Sequence, residues 1–266
     1  MPLWHLLLLA VLQGATEFLP VSSSGHLVLL PALTGLEDQG TFLDVAVHVG
    51  SLGAVVLYFR AEVAEALRGT ADLLRGRRTR AAGLALGLVV ATVPVMAAGL
   101  AIKATVGTDA LRSVALIGWT TLLFGLLLGA VDLRAPAART DGDWTWRHAL
   151  WMGLAQALAL VPGTSRSGIV ITAARALGYA RESAARLAML MSIPTILASG
   201  AVLSLDVAGE ADWALARDGA VAAAFSFAAA LAALALMMRL LRSVSFLPYV
   251  IYRVALGTGL LIWAYA

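Results

Sequence analysis

Apolar and polar positions follow one order twice along the chain. Two apolar runs, residues 3–12 and 27–33, flank the polar stretch Gln13-Gly14-Ala15-Thr16-Glu17-Phe18-Leu19-Pro20-Val21-Ser22-Ser23-Ser24-Gly25-His26. Each run is shorter than the roughly 20 helical residues that cross a bilayer. The pattern predicts a helical hairpin that enters the membrane and turns back, its polar tip satisfied by protein or water. Residues 42–59, 81–102 and 111–133 are long enough to span, and a polar connection, 134–147, follows. Two short runs, 146–161 and 169–177, then flank Pro162-Gly163-Thr164-Ser165-Arg166-Ser167-Gly168, and residues 184–205, 219–241 and 246–266 close the chain as three more spans.

The two tips are alike in sequence as well as in setting. A single shift lays Gln13 on Gln156, Ser22 on Ser165, Ser24 on Ser167 and Gly25 on Gly168. A hairpin adds no net crossing and three helices add an odd number, so the second half must lie upside down relative to the first. The expectation is an all-α integral membrane fold in one domain, 1–266. It has six transmembrane helices plus two re-entrant helical hairpins, arranged as inverted-topology repeats, 1–133 and 146–266. In such repeats, sites form near the midplane where broken helices meet.

Composition agrees with this. The 266 residues are 61% hydrophobic and 13% charged, with a mean hydropathy of +0.88, outside the range of water-soluble domains. A net charge of +3 is too small and scattered to suggest nucleic acid. The absence of cysteine excludes disulfides and thiolate chemistry. The first residues, Met1-Pro2-Leu3-Trp4-His5, lack the basic start and cleavage site of a signal peptide and are read as mature sequence.

The basic residues predict an orientation. One side would receive Arg60, Arg68, Arg75, Arg77, Arg78, Arg80, Arg134, Arg139, Arg147, Arg175, Arg181, Arg186, Arg239 and Arg242, the other only Lys103, Arg112 and Arg217. The first side is then cytoplasmic. Both termini and the mouth of the first hairpin are expected to face outward.

The chemistry concentrates in the tips. Glu17 stands in an apolar stretch, where a carboxylate facing lipid costs about 2.5–3.5 kcal/mol, so a wet or charged cavity is expected around it. An interfacial position is the plainer alternative. Gln13, one helical turn earlier, shares its face and is at most a secondary ligand. Ser22, Ser23 and Ser24 precede an apolar helix; capping accounts for one of them, and the set with its free N–H groups makes an anion site suited to phosphate. His26 is one turn beyond Ser22, within reach of a proton exchange, although a lone histidine on an apolar helix is more often structural. Arg166, between Ser165 and Ser167 at another helix start, keeps its charge and must be paired. Its fork suits a phosphate, and a salt bridge to Glu17 is compatible with that. Arg253 is intramembrane and reads either as a headgroup contact or as a structural pair. Asp44 and His48 are assigned to interface solvation, and the arginines from 75 to 80 to a topology anchor. No phosphate-binding Gly-x4-Gly-Lys-Ser/Thr loop is present, and the four histidines (5, 26, 48 and 148) are too scattered for a zinc site.

At these residues the chain resembles the bacterial undecaprenyl-diphosphate phosphatases, the bacitracin-resistance proteins. Glu17-Phe18-Leu19-Pro20-Val21-Ser22-Ser23-Ser24-Gly25-His26 fits the first motif of that family and Pro162-Gly163-Thr164-Ser165-Arg166-Ser167 the second. Gln13 stands where the family carries Glu or Gln; Val170 departs from the usual Thr, with Thr172 close by. The resemblance implies hydrolysis of a C55 polyprenyl diphosphate to the monophosphate carrier and phosphate. It also implies dependence on Mg2+ or Ca2+ and a site in the bacterial cytoplasmic membrane open to the outer face.

On this reading Glu17, Ser23, His26 and Arg166 are the catalytic set. Ser23 is the nucleophile, His26 the general base and acid, and Glu17 the metal ligand or the group that orients the nucleophile; a metal-activated water is the alternative. Gln13, Ser22, Ser24, Ser165, Ser167 and Arg253 would bind substrate. The partners are the polyprenyl lipid and the bilayer, with a homodimer compatible and no nucleic acid. Competing readings are a lipid flippase or transporter, with or without hydrolysis, and a non-catalytic polyprenyl-lipid binding protein.

Overall fold

The computed structural model describes residues 2–35, 40–105, 111, 113–206 and 213–266; Arg112 lies outside them. The described residues form eleven α-helices and no β-strand: α1 (Leu3–Glu17), α2 (Ser23–Thr34), α3 (Gly40–Tyr58), α4 (Arg60–Leu74), α5 (Arg80–Thr105), α6 (Val114–Arg134), α7 (Trp146–Ala157), α8 (Arg166–Ala176), α9 (Arg181–Asp206), α10 (Trp213–Leu240) and α11 (Leu247–Tyr265). Six of them, α3, α5, α6, α9, α10 and α11, are long and apolar enough to cross a membrane, where the hydropathy pattern predicts six spans. The chain is a multi-pass membrane protein. The helices on either side of the two tips have 15, 12, 12 and 11 residues, short of a crossing.

One stretch departs from the pattern. Residues 60–74, which hydropathy leaves as part of an arginine-rich loop, form α4. Phe59 alone separates it from α3, and the Val63 N–H donates to the Phe59 carbonyl at 2.9 Å, so the helical ladder runs almost unbroken across the junction. Alanine, leucine and glutamate give the segment a strong helix preference. Gly69 lets it lie on α5, where a Cβ would collide with the Ala81 backbone.

The short helices are seated on long ones by close backbone approach. α1 packs on α10 and α7 on α5; a Cβ on Gly14 would meet Ala229 and Ala230 at 2.9 Å, and one on Gly153 would meet Ala91 at 2.8 Å. Dispersion and shape, not expulsion of water, hold helices together in lipid, and small residues permit the contact. The main core runs through Phe18, Val55, Leu128, Met152, Ile171 and Met191, between the two tips and the long helices.

A polar knot closes one end of the bundle. Asp132 of α6 is 3% exposed and accepts from Arg175 Nε at 2.8 Å, from Arg181 Nε at 2.9 Å and from the Phe246 N–H at 3.3 Å. The Arg175 guanidinium also donates to the carbonyls of Asp132, Ala135, Pro136 and Tyr179. One carboxylate thus joins α6, α8, α9 and the start of α11.

Candidate functional site

Both tips end in a serine that the backbone bends sharply. Ser22 has φ +76° and Ser165 φ +71°, the only non-glycine residues with positive φ among those described. Each caps the next helix: Ser22 Oγ accepts from the Gly25 N–H at 3.3 Å and Ser165 Oγ from the Gly168 N–H at 3.1 Å. Such backbone costs about 1–3 kcal/mol and persists only where the surroundings fix it. Here it turns the first residues of α2 and α8, Ser23 and Arg166, toward one point.

That point is Glu17. Its Oε1 accepts from Arg166 Nη2 at 2.6 Å, and its Oε2 accepts from Ser23 Oγ at 2.6 Å and from Gln13 Nε2 at 2.8 Å. The carboxylate side chain is 5% exposed, so the guanidinium supplies the countercharge its burial requires. Arg166 Nη1 is buried without a partner, as is Gln13 Oε1. Above them opens a cavity of about 330 Å³ lined by Ser22, Ser23, Ser24, Ser165 and Arg166 and continued by Val95, Leu100, Ile196 and Leu203. It combines a charged floor with greasy walls from α5 and α9, the shape an amphiphile with an anionic head requires.

The family described as bacitracin resistance protein BacA matches residues 6–259. The chain belongs to that family. It is 66% identical to an undecaprenyl-diphosphatase of Dinoroseobacter shibae, 65% to one of Roseobacter denitrificans and 62% to one of Ruegeria pomeroyi, over 100% of each chain in all three cases.

Within this BacA-family site, the residues singled out from sequence fall into two groups. Gln13, Glu17, Ser22, Ser23, Ser24, Ser165 and Arg166 stand together on Glu17 or the cavity. Ser167 is set apart: its Oγ donates to the Leu19 carbonyl at 2.9 Å and lies 3.2 Å from Ser165 Oγ, tying one tip to the other. Thr172, near the departure at Val170, spends its hydroxyl on the Gly168 carbonyl of its own helix at 2.7 Å.

The geometry places two of the expected site residues away from the cavity. His26 neither lines the cavity nor touches Ser23. Its Nδ1 is 2.6 Å from the Ser22 carbonyl and its Nε2 2.6 Å from the Tyr252 hydroxyl, with the two rings stacked. A carbonyl only accepts, so Nδ1 holds the proton and the Nε2 lone pair is taken by the phenol. In this arrangement the imidazole latches the bent Ser22 and makes no hydrogen bond to Ser23, the position general-base catalysis there would require. Arg253, expected at the headgroup, is fully buried. It donates to the carbonyls of Pro20, Thr120, Thr121, Gly163 and Thr164 at 2.9–3.4 Å, fastening both tips to α6, and it does not line the cavity. Gly163 completes this seam, with φ +88° and the Ile117 carbonyl 2.7 Å from where a Cβ would lie.

One residue assigned to the interface belongs to the site. His48 lines the cavity, its Nε2 3.7 Å from Glu17 Oε2. The signal for it was faint, a histidine one turn after Asp44 on a helix otherwise apolar.

A divalent cation is compatible with these groups. Mg2+ is commonly held by one or two carboxylates plus phosphate oxygens. Among the described residues no three His, Cys, Asp or Glu side chains gather to hold an ion, so Glu17 would provide the one carboxylate and the phosphate most of the remaining oxygens, with the Ser23 hydroxyl and the unpartnered Gln13 Oε1 close by.

Proposed function

We propose that the chain is an integral membrane phosphatase that hydrolyses undecaprenyl diphosphate to undecaprenyl phosphate and inorganic phosphate. It thereby recycles the lipid carrier of cell-wall synthesis, and bacitracin resistance follows from that activity. The observation that carries the reading is the meeting of Ser23 and Arg166 on the two oxygens of Glu17 beneath an apolar-walled cavity. The names of the relatives supply the substrate.

In the mechanism, the terminal phosphate draws Arg166 off Glu17 and takes the guanidinium fork and the N–H groups of the two helix starts. Withdrawal of that countercharge from Oε1 raises the basicity of the carboxylate, and Oε2, already bonded to Ser23 Oγ, receives the serine proton. Ser23 Oγ then bonds to the terminal phosphorus as the bridging P–O bond breaks, and undecaprenyl phosphate leaves with the electron pair. Water attacks the phosphoserine, the Oγ–P bond breaks, Glu17 returns its proton to Oγ, and phosphate departs. Glu17, with Gln13 Oε1, would hold Mg2+ or Ca2+, which supplies neutralisation of the phosphate charge. The apolar walls from α5 and α9 keep bulk water from the phosphoserine.

We also read the two tips as re-entrant hairpins of an inverted repeat in the cytoplasmic membrane, with termini and mouth outward. Supporting this, α1 lies on α10 while its counterpart α7 lies on α5, an exchange between halves that a two-fold axis in the membrane plane produces. The arginine distribution supports the orientation; reporter fusions in the loop at residues 75–79 test it, and an external signal would refute it.

Phosphate release by the purified protein from synthetic undecaprenyl diphosphate, with and without chelator, tests the function. Release in detergent without a gradient is the expected result; substrate binding with no release overturns the enzyme. Ser23→Ala is expected to abolish turnover, and near-normal turnover would transfer the nucleophile to water.

A further inference from the structure

The mechanism leaves His48 idle. Its Nδ1 lies 2.7 Å from the backbone carbonyl oxygen of Asp44, which can only accept, so Nδ1 carries a proton and the tautomer with Nε2 unprotonated presents its lone pair there. That lone pair faces the cavity 3.7 Å from Glu17 Oε2, beyond hydrogen-bond range but close enough for one ion to touch both. A ring nitrogen fixed by donating its opposite N–H to a carbonyl is the usual bearing of a metal-binding histidine. The contrast with His26 is direct, since there the Nε2 position is occupied by the Tyr252 hydroxyl. Arg166 and Lys103 also line the cavity; their charge complements a diphosphate and disfavours a bare cation, so the ion would bind together with phosphate oxygens.

We propose that His48 Nε2 joins the Glu17 carboxylate as a ligand of the divalent cation, and that it sets the metal preference of the site. This rests on the metal-dependent phosphatase reading above. Imidazole suits first-row transition ions, whereas Ca2+ and Mg2+ favour oxygen. The site is therefore biased toward an ion such as Mn2+ over Ca2+.

The test is pulsed EPR of Mn2+ added to the purified full chain with methylenediphosphonate, a diphosphate that cannot be hydrolysed. The wild type is expected to show nitrogen modulation from a coordinated imidazole. His48→Gln and His48→Asn, the latter keeping a donor for the Asp44 carbonyl, are expected to lose it. The preference for Mn2+ over Ca2+ in competition is expected to fall about tenfold or more in both variants. A nitrogen-free wild-type spectrum, or modulation that survives both substitutions, overturns the assignment, and the wild-type spectrum decides even where a variant fails to fold. Phosphate release by the wild type with Mg2+ is read in parallel. Release with a nitrogen-free spectrum removes His48 alone, whereas no release removes the phosphatase reading and His48 with it.

Discussion

Arg166 Nη2 and Glu17 Oε1 meet at 2.6 Å although 149 residues separate them in the chain. The pair joins the start of α8 to the end of α1, and each partner needs the other while substrate is absent. Arg166→Lys keeps the charge but removes the second N–H-bearing arm that has no protein partner. It should lower kcat/KM by about 10²-fold or more, as the loss of an aimed donor to developing charge does, with the fold intact by thermal melt. Activity within a few-fold of wild type would show that the fork is not used on phosphate.

His26 acts through Ser22, and the two ends of its ring predict different things. His26→Asn retains a donor for the Ser22 carbonyl and should keep activity within about tenfold, while His26→Ala should cost about 1–3 kcal/mol of stability by leaving a buried carbonyl short of a partner. Tyr252→Phe should fall between them, as it removes only the hydroxyl on Nε2. Equal and complete inactivation of all three would return the imidazole to proton transfer.

Asp132 holds Arg175 where solvent does not reach, their side chains being 3% and 2% exposed. Asp132→Asn leaves that guanidinium without its countercharge and should destabilise the protein by about 3–5 kcal/mol. KM for the lipid should stay unchanged, because none of Asp132, Arg175 and Arg181 lines the cavity. Thermal unfolding in detergent alongside steady-state kinetics separates the two effects.

Tyr179, in the connection between α8 and α9, gives a pH prediction. Burial pushes its phenol up to about 12, above its ordinary value of about 10. The neutral form is therefore favoured in the folded chain. The stability this contributes is fully present below pH about 10 and is lost as pH climbs toward about 12. Tyr179→Phe should abolish that alkaline slope; an unchanged melting profile between those pH values would contradict the assignment.

The hydropathy order predicts the six long helices and the four short ones around the tips, because length against bilayer thickness and apolar character are local properties. Glu17, Ser23 and Arg166 were legible for a related reason: a charge in a greasy run must find a partner, and the tips offered few. The roles of His26, His48 and Arg253 were not. His26 and His48 both sit one turn beyond a carbonyl they bond, and only the third dimension says that Tyr252 occupies one ring while the other faces the cavity. A buried guanidinium suggests an anion, yet three carbonyl oxygens of the tips and two within α6 do the same work for Arg253. α4 escaped the pattern because an amphipathic helix of balanced charge reads as a loop on a hydropathy scale.

Those five oxygens bear on movement. Pro20 belongs to one tip, Gly163 and Thr164 to the other, and a single side chain rooted in α11 grips all three together with α6. Rocking one half of the protein against the other, as carriers do to expose cargo first to one compartment and then to its opposite, would tear that grip apart in a medium with no water to compensate the freed groups. One buried guanidinium thus works as a rivet through both tips, and any motion that parted them would have to break these bonds together.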